Sequence, residues 1–332
     1  MRRLINFVIV SALAGEAFVL GQGGDVNKVL ASMREALGGD QKLAAVTSLT
    51  VSGRTTRVVN DTSSPPTDVE IAMMLPDKYV RKDVVAVLGT NTLSRTTGFN
   101  GKQLIEVMDL PPGLNSGNTF VRSAGSTGFG MAQTPEQQEV ARQNTLRANR
   151  EDFARLTLGL FGASFDGFPL KFASVGVAEA ADGKADVIEI TGDGDFAARL
   201  YVDQKTHLPL MLSWMAREPL RMTSSGGTGT NAGDGRVTAG GGGTVVQGFQ
   251  SGNAQDREQL LRDLDARMKA ADAQRRMVEY RVYYSGYKDV GGGVKMPARI
   301  QRAIDGKPSD ELLLDKVKLN PKIDPRTFNA SK

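Results

Sequence analysis

Three groups of residues in this chain have types and spacings that chemistry could use. The single histidine, His207, stands in Lys205-Thr206-His207-Leu208-Pro209. As a general base it would need a nucleophile and an orienting acid within hydrogen-bond reach. No Gly-x-Ser-x-Gly elbow occurs in the chain, and the flanking residues read as a surface turn, so His207 is expected to be structural. Cysteine is absent, which removes thiol nucleophiles, disulfides and thiolate metal sites together. With one histidine, a zinc or iron site would have to be built mainly from carboxylates, a poor donor set for either metal. Asp193 and Asp195 flank Gly194 but lack the twelve-residue spacing and terminal glutamate of a calcium loop, so they read as a hairpin turn. Gly291-Gly292-Gly293-Val294-Lys295 lacks the spacing of a phosphate loop and falls between strands instead of before a helix. No motif supports a glycosidase carboxylate pair, whose spatial separation a sequence does not display. No catalytic residue, metal or cofactor is therefore expected, and the chain reads as a non-enzyme.

What remains is softness. Met73, Met74, Met108, Met211 and Met215 all fall on strand candidates among Phe, Leu and Val. Flexible thioethers line adaptable apolar sites, and they also fill ordinary cores. The tyrosines Tyr280, Tyr283, Tyr284 and Tyr287 divide between the two faces of one strand, so they do not form a base-stacking platform. Formal charge is +4 with interspersed signs, which implies no nucleic-acid partner.

The elements that position these residues follow from pattern. With 332 residues, 40% hydrophobic and 23% charged, the chain is an ordinary globular sequence except for its 38 glycines. Arg2 and Arg3 precede an apolar run, 4–13, that is short for a membrane span and is interrupted by Gly15 and Glu16. This reads as a signal peptide, 1–22, removed on secretion. Its loss takes one net positive charge (Arg2 and Arg3 against Glu16) from the +4 and leaves +3. Asp25 caps a helix whose apolar face is Val26, Val29, Leu30, Met33 and Leu37, ended by Gly38-Gly39. A strand at 49–59 follows, then the stretch 69–108, which reads as four meandering strands turning at Pro76-Asp77, Gly89-Thr90 and Asn100-Gly101. Residues 110–130 read as an irregular loop, and Thr134-Pro135-Glu136-Gln137 opens a helix running to about Phe161.

Four more strands are expected at 170–178, 185–191, 196–203 and 208–217, joined by Asp- and Gly-bearing turns. Residues 223–252, dense in Gly, Ser, Thr and Asn, read as a flexible insertion with too little apolar surface to order itself. An amphipathic helix is expected at 255–274 with Leu260, Leu261, Leu264 and Met268 on one side. Strands resume at 278–287, 294–304 and 311–319, and looping out the insertion makes 208–217 and 278–287 neighbours. The expected class is α+β. A single curved antiparallel sheet of about eleven strands forms an unclosed, half-open β-barrel, with amphipathic helices covering the concave face. One domain, 23–332, carries insertions at 110–168 and 220–276.

The order of elements then carries a resemblance. Ser52-Gly53 on an early strand, the hairpin Pro76, Lys78, Tyr79, Arg81, the run Gly98-Phe99-Asn100-Gly101-Lys102, and the close Asn320-Pro321-Lys322-Ile323-Asp324 through Phe328 resemble the periplasmic lipoprotein carriers LolA and LolB and related outer membrane lipoprotein-sorting proteins. The resemblance spans 25–109 and, more loosely, 170–217 and 278–328. The insertions depart from it. It implies a periplasmic protein that binds lipoprotein acyl chains or another lipid in an apolar cavity; without a cysteine there is no lipobox, so no lipid anchor is expected. The expected lining is Val51, Val58, Ile71, Met73, Leu75, Leu200 and Met211. Expected partners are a lipidated protein or lipid, with transient contact with inner or outer membrane components, the chain itself being a monomer. The family's functional arginine corresponds to Arg54 or Arg57. A sensor or protein-interaction module without lipid transfer is the alternative on the same scaffold.

Overall fold

The computed structural model describes residues 18–19, 24–59, 61–88, 91–109, 119–123, 135–165, 168–180, 183–218, 237–240, 243–247, 270 and 274–329. In chain order the elements are β1 (Phe18–Val19), α1 (Val26–Leu37), α2 (Asp40–Ala44), β2 (Ser48–Val59), β3 (Thr62–Ser63), β4 (Thr67–Met74), β5 (Lys78–Leu88), β6 (Asn91–Asn100) and β7 (Gln103–Asp109). They continue with β8 (Thr119–Ser123), α3 (Pro135–Phe161), β9 (Leu170–Ala180), β10 (Gly183–Gly192), β11 (Ala197–Asp203), β12 (Pro209–Arg217), β13 (Val237–Gly240) and β14 (Gly243–Gln247). The last are β15 (Met277–Ser285), β16 (Lys288–Asp289), β17 (Lys295–Met296), β18 (Arg299–Ile304), β19 (Lys307–Leu319) and a 3-10 turn (Pro325–Phe328).

The main sheet runs β1-β9-β10-β11-β12-β15-β18-β19-β2-β4-β5-β6-β7, with β3 attached to β2. Every pairing is antiparallel. Its two end strands, β1 and β7, do not pair, so the barrel is unclosed. Sheet width shows the curl. β6 and β9 stand ten strand positions apart, about 48 Å in a flat sheet at the usual strand spacing. Phe99 of β6 and Leu170 of β9 nevertheless line one cleft. The sheet must therefore wrap around what lies between them.

What lies between them is helix. α1 starts where the Asp25 carboxylate accepts a hydrogen bond from the Asn27 amide (3.0 Å), and it ends where Gly38 and Gly39 donate back to Glu35 and Arg34. It buries Val29, Leu30, Met33 and Leu37, each contributing about 1.5–3 kcal/mol relative to exposure. α3 changes character along its length. Its first half is solvated and laced by Arg142–Glu139 (2.8 Å) and Arg147–Glu151 (3.1 Å) pairs. From Phe153 to Phe161 nearly every side chain is buried, and these residues share one core with α1 and the inner sheet face. Gly159 permits this depth, because a Cβ there would run into the ring of Tyr284 on β15. At Gly162, φ is +60°, and its amide caps the helix on the Leu158 carbonyl (3.0 Å).

The outer face is covered by the chain's end. Asn320, at φ +50°, accepts from the Thr47 amide (2.8 Å) and donates to the Ala45 carbonyl (2.9 Å), which ties β19 back to the start of β2. The segment beyond lays Ile323 and Phe328 against Val80, Ile105, Ala72, Met74 and Val107. Asn100 donates to the Phe328 carbonyl (3.2 Å).

Several expectations need correction. The main sheet adds two short strands, β1 and β3, that the sequence pattern does not mark. The run expected at 294–304 divides into β17 and β18. Within the Gly-rich insertion and the loop at 110–130, β13, β14 and β8 form a separate three-stranded antiparallel sheet. Val237, Thr244, Val245, Val246, Phe120 and Val121 supply strand propensity that the averaged Gly and Ser content conceals. β12 and β15 do pair across the insertion, Met211 opposite Tyr283. The helix expected at 255–274 lies almost wholly outside the described residues, as does the signal peptide apart from Phe18–Val19.

Candidate functional site

The site builds from the open side of the barrel inward. Between the β4–β5 turn, the end of β6, α3 and the start of β9 lies a cleft lined by Pro76, Phe99, Arg150, Phe153, Phe165 and Leu170, with Phe168 beside them. It contains about 360 Å³ of space outside atoms, counting the part open to solvent, and interior room of about 20 Å³. That is room for about one water. Phe153 is the hub. Its ring lies 5.4 Å from Phe99 edge-to-face, 5.5 Å from Tyr79 and 6.0 Å from Phe165. Arg150 braces the rim by donating to the Gly101 carbonyl (2.6 Å).

The cleft continues into a second aromatic row. Phe168 meets Phe196 at 5.1 Å, Arg155 of α3 lies over Phe196 (5.0 Å) and Trp214 (4.6 Å), and Trp214 stacks on Tyr280 (5.4 Å, 16°). Arg155 also pairs with Glu151 (3.0 Å) and Asp152 (3.2 Å). The guanidinium thus holds α3 in the concavity through cation–π contact as well as charge. Deeper along the inner face, Arg81 pairs with Asp83 (2.8 Å).

Of the expected lining, Val51, Ile71, Met73 and Leu200 share the main core with Leu75 packed beside them. The structure does not bring Val58 and Met211 to that face. Leu200 pairs with Leu212, so Met211 points the other way, into a small outer cluster with Val187 and Tyr201. Val51, Gly53 and Thr55 of β2 point inward, so the two-residue period sends Val58 outward, opposite Ser63 of β3. The methionine signal was misleading for the same reason: Met74 faces the C-terminal strap and Met215 is exposed. The cleft phenylalanines were missed because Phe99, Phe153, Phe165 and Phe168 come from three separate elements and share no local period.

The other chemistry-bearing groups lie in turns or in strand pairs. His207 closes the β11–β12 turn at φ +58°, its amide donating to Asp203 (2.8 Å). Asp203 is held below the usual carboxylate range by hydrogen bonds from Thr206 and Lys205, against the effect of burial. Asp289 accepts from Gly291 (2.7 Å) in the Gly-rich turn. Arg54 makes a bidentate pair with Asp315 (2.8 and 2.9 Å), and Arg57 stands opposite Asp310. Among the described residues no cluster of His, Asp and Glu is arranged to hold a metal, and no helix is long and apolar enough to cross a membrane.

Burial has a pH consequence. It disfavours the tyrosinate, pushing Tyr79 up to about 12 and raising Tyr284 and Tyr287 as well. The stability tied to these phenols is complete below their unfolded value near 10 and is lost as pH rises through the folded values. Urea midpoints should hold steady up to about pH 9 and fall between about pH 10 and 12, with Tyr79 alone contributing about 1.4 kcal/mol per pH unit. Tyr79→Phe should flatten that decline. An unchanged slope in the variant would contradict the assignment.

By sequence, the chain matches no family model and no curated protein. Among solved structures there are similar chains, each at low identity. A LolA superfamily protein from Nitrosomonas europaea shares 11% identity over 92% of this chain and 98% of that one, at a TM-score of 0.44. A DUF1329 family protein from Desulfovibrio piger shares 8% over 92% and 97%, at 0.45. A domain named for outer membrane lipoprotein sorting, from Vibrio parahaemolyticus, shares 7% over 90% and 94%, at 0.39.

Proposed function

We propose that this chain is a periplasmic, non-catalytic binder or carrier of acyl chains. It would act as one half-barrel unit, 23–332, exported behind a leader at 1–22. The observation that carries the reading is the phenylalanine-lined cleft at the unclosed gap, with α3 as its floor. An acyl chain gains about 25 cal/mol for each Å² of apolar surface it buries, before association costs. Interior room of about 20 Å³ does not hold such a chain, so binding requires the buried end of α3, Phe153 to Phe161, to shift and give its place to the ligand. In this reading α3 is a plug whose apolar residues stand in for the cargo. The seven expected lining residues are then reached in part: Val51, Ile71, Met73, Leu75 and Leu200 would line the deep wall.

A second reading has its own support. Met73 and Leu200 are 0% exposed, as in a finished core, which favours a sensor or interaction module that carries nothing. Titration with a fluorescent fatty acid decides between them. The carrier reading expects saturable binding near one per chain, displaced by palmitate, and weakened about tenfold or more by Phe168→Arg at the mouth. Absence of saturable binding, together with no lipid in native mass spectra of the purified chain, would eliminate the carrier and leave the module.

A further inference from the structure

Two opposite charges stand at the mouth of the cleft and do not meet. Arg150 of α3 and Asp77 of the β4–β5 turn both line it. They flank one residue, Gly101 of the β6–β7 turn. Arg150 Nη2 donates to the Gly101 carbonyl (2.6 Å), and the Gly101 amide donates to the Asp77 carbonyl (2.9 Å). The Asp77 carboxylate is equally near, since a Cβ placed on Gly101 would lie 3.6 Å from Oδ2. Both charges are therefore fixed against the same turn, beside the rings of Phe99 and Phe153.

Their lack of charged partners sets them apart. The other arginines of α3 are matched with carboxylates: Arg142 with Glu139 (2.8 Å), Arg147 with Glu151 (3.1 Å), and Arg155 with Glu151 (3.0 Å) and Asp152 (3.2 Å). Arg150 has only the Gly101 carbonyl and the Phe99 ring, whose centroid lies 5.8 Å from its guanidinium carbon. A guanidinium carries five N–H donors, so one bond to a carbonyl leaves most of the fork for a ligand. Asp77 is held by its backbone; among the described residues its carboxylate accepts no hydrogen bond and forms no ion pair. Both residues are half-buried, where charges are screened less than on an open surface.

We infer that the mouth of the cleft is a head-group site for an amphiphile that carries both an anionic group and a primary ammonium, as a phosphoethanolamine head does. This rests on the acyl-binding reading above and narrows it from lipids in general to zwitterionic ones. The phosphate takes the unused donors of Arg150, and the ammonium donates to the Asp77 carboxylate, both as charge-assisted hydrogen bonds. The tail then enters between Phe99, Phe153 and Phe168. A purely anionic head meets Arg150 but is opposed by Asp77. A quaternary ammonium has no N–H to give Asp77, and an uncharged head leaves both charges as they are.

The experiment uses the full purified chain and four probes that share one dodecanoyl tail, each below its micelle-forming concentration. They are lysophosphatidylethanolamine, lysophosphatidylcholine, lysophosphatidic acid and the uncharged monoglyceride. Calorimetry should rank the ethanolamine lipid about fivefold or more tighter than each of the others. Asp77→Asn should erase its advantage over lysophosphatidic acid, and Arg150→Gln should bring the phosphate-bearing probes down toward the monoglyceride. Trp214 emission checks that each variant is folded, and the ranking in the parent chain decides without them. Equal affinities for all four, tightest binding of lysophosphatidic acid, or an ethanolamine preference that survives Asp77→Asn would overturn the head-group site and leave acyl binding standing. Failure of all four probes to bind would overturn both.

Discussion

Phe153→Ala is expected to lower stability by about 3–5 kcal/mol, as for other large aromatic truncations in a core. Phe153 is buried and holds three rings at once, Tyr79, Phe99 and Phe165, which belong to β5, β6 and the segment leading into β9. Each aromatic contact contributes about 0.5–1.5 kcal/mol beyond simple burial, so the loss is spread over both sides of the open barrel. Guanidinium unfolding followed by tryptophan fluorescence reads it, because Trp214 lies under Arg155 of the same helix. Phe153→Leu, which keeps most of the volume, should cost roughly half as much or less. An alanine variant within about 1 kcal/mol of the parent would mean that α3 does not contribute to the cooperative core, and the plug interpretation would fall with it.

Phe328→Ala is the second large effect, also about 3–5 kcal/mol if the C-terminal strap unfolds together with the sheet. Phe328 is 0% exposed although it lies at the end of the chain, on the outer face opposite the helices. It seals Val80 and Ile105, which would otherwise be an apolar patch on a sheet face open to water. The strap is held at both ends, by Asn320 on Thr47 and Ala45 and by Asn100 on the Phe328 carbonyl. Denaturant midpoints give the size. Hydrogen exchange at Val80 and Ile105 gives the location, and faster exchange there with an unchanged midpoint would show that the strap opens alone and that its contribution is local.

Local pattern made much of this fold legible. α1 runs over the residues that its cap, Asp25, and its terminators, Gly38 and Gly39, delimit. Asn100-Gly101 turns the chain where its φ tolerance predicts. The closing Ile323 and Phe328 are both used, one packed against the outer cluster and one at its centre. The candidate site was far less legible. Met211 and Leu200 look equivalent as apolar strand residues, yet pairing Leu200 with Leu212 places Met211 on the other face. A register differing by one residue exchanges the faces of a strand, and composition does not report register.

The sequence by itself determined an antiparallel, open-ended sheet with helices to cover it, because alternation, caps and turn residues act over a few positions and do not depend on the rest of the chain. Only the tertiary structure decided that α3 enters the concavity as far as Tyr284 and that Phe99 and Leu170 meet across a gap ten strands wide in the sheet order. Those facts depend on the accumulated twist and curl of thirteen strands, a sum of small rotations that no single stretch of residues encodes.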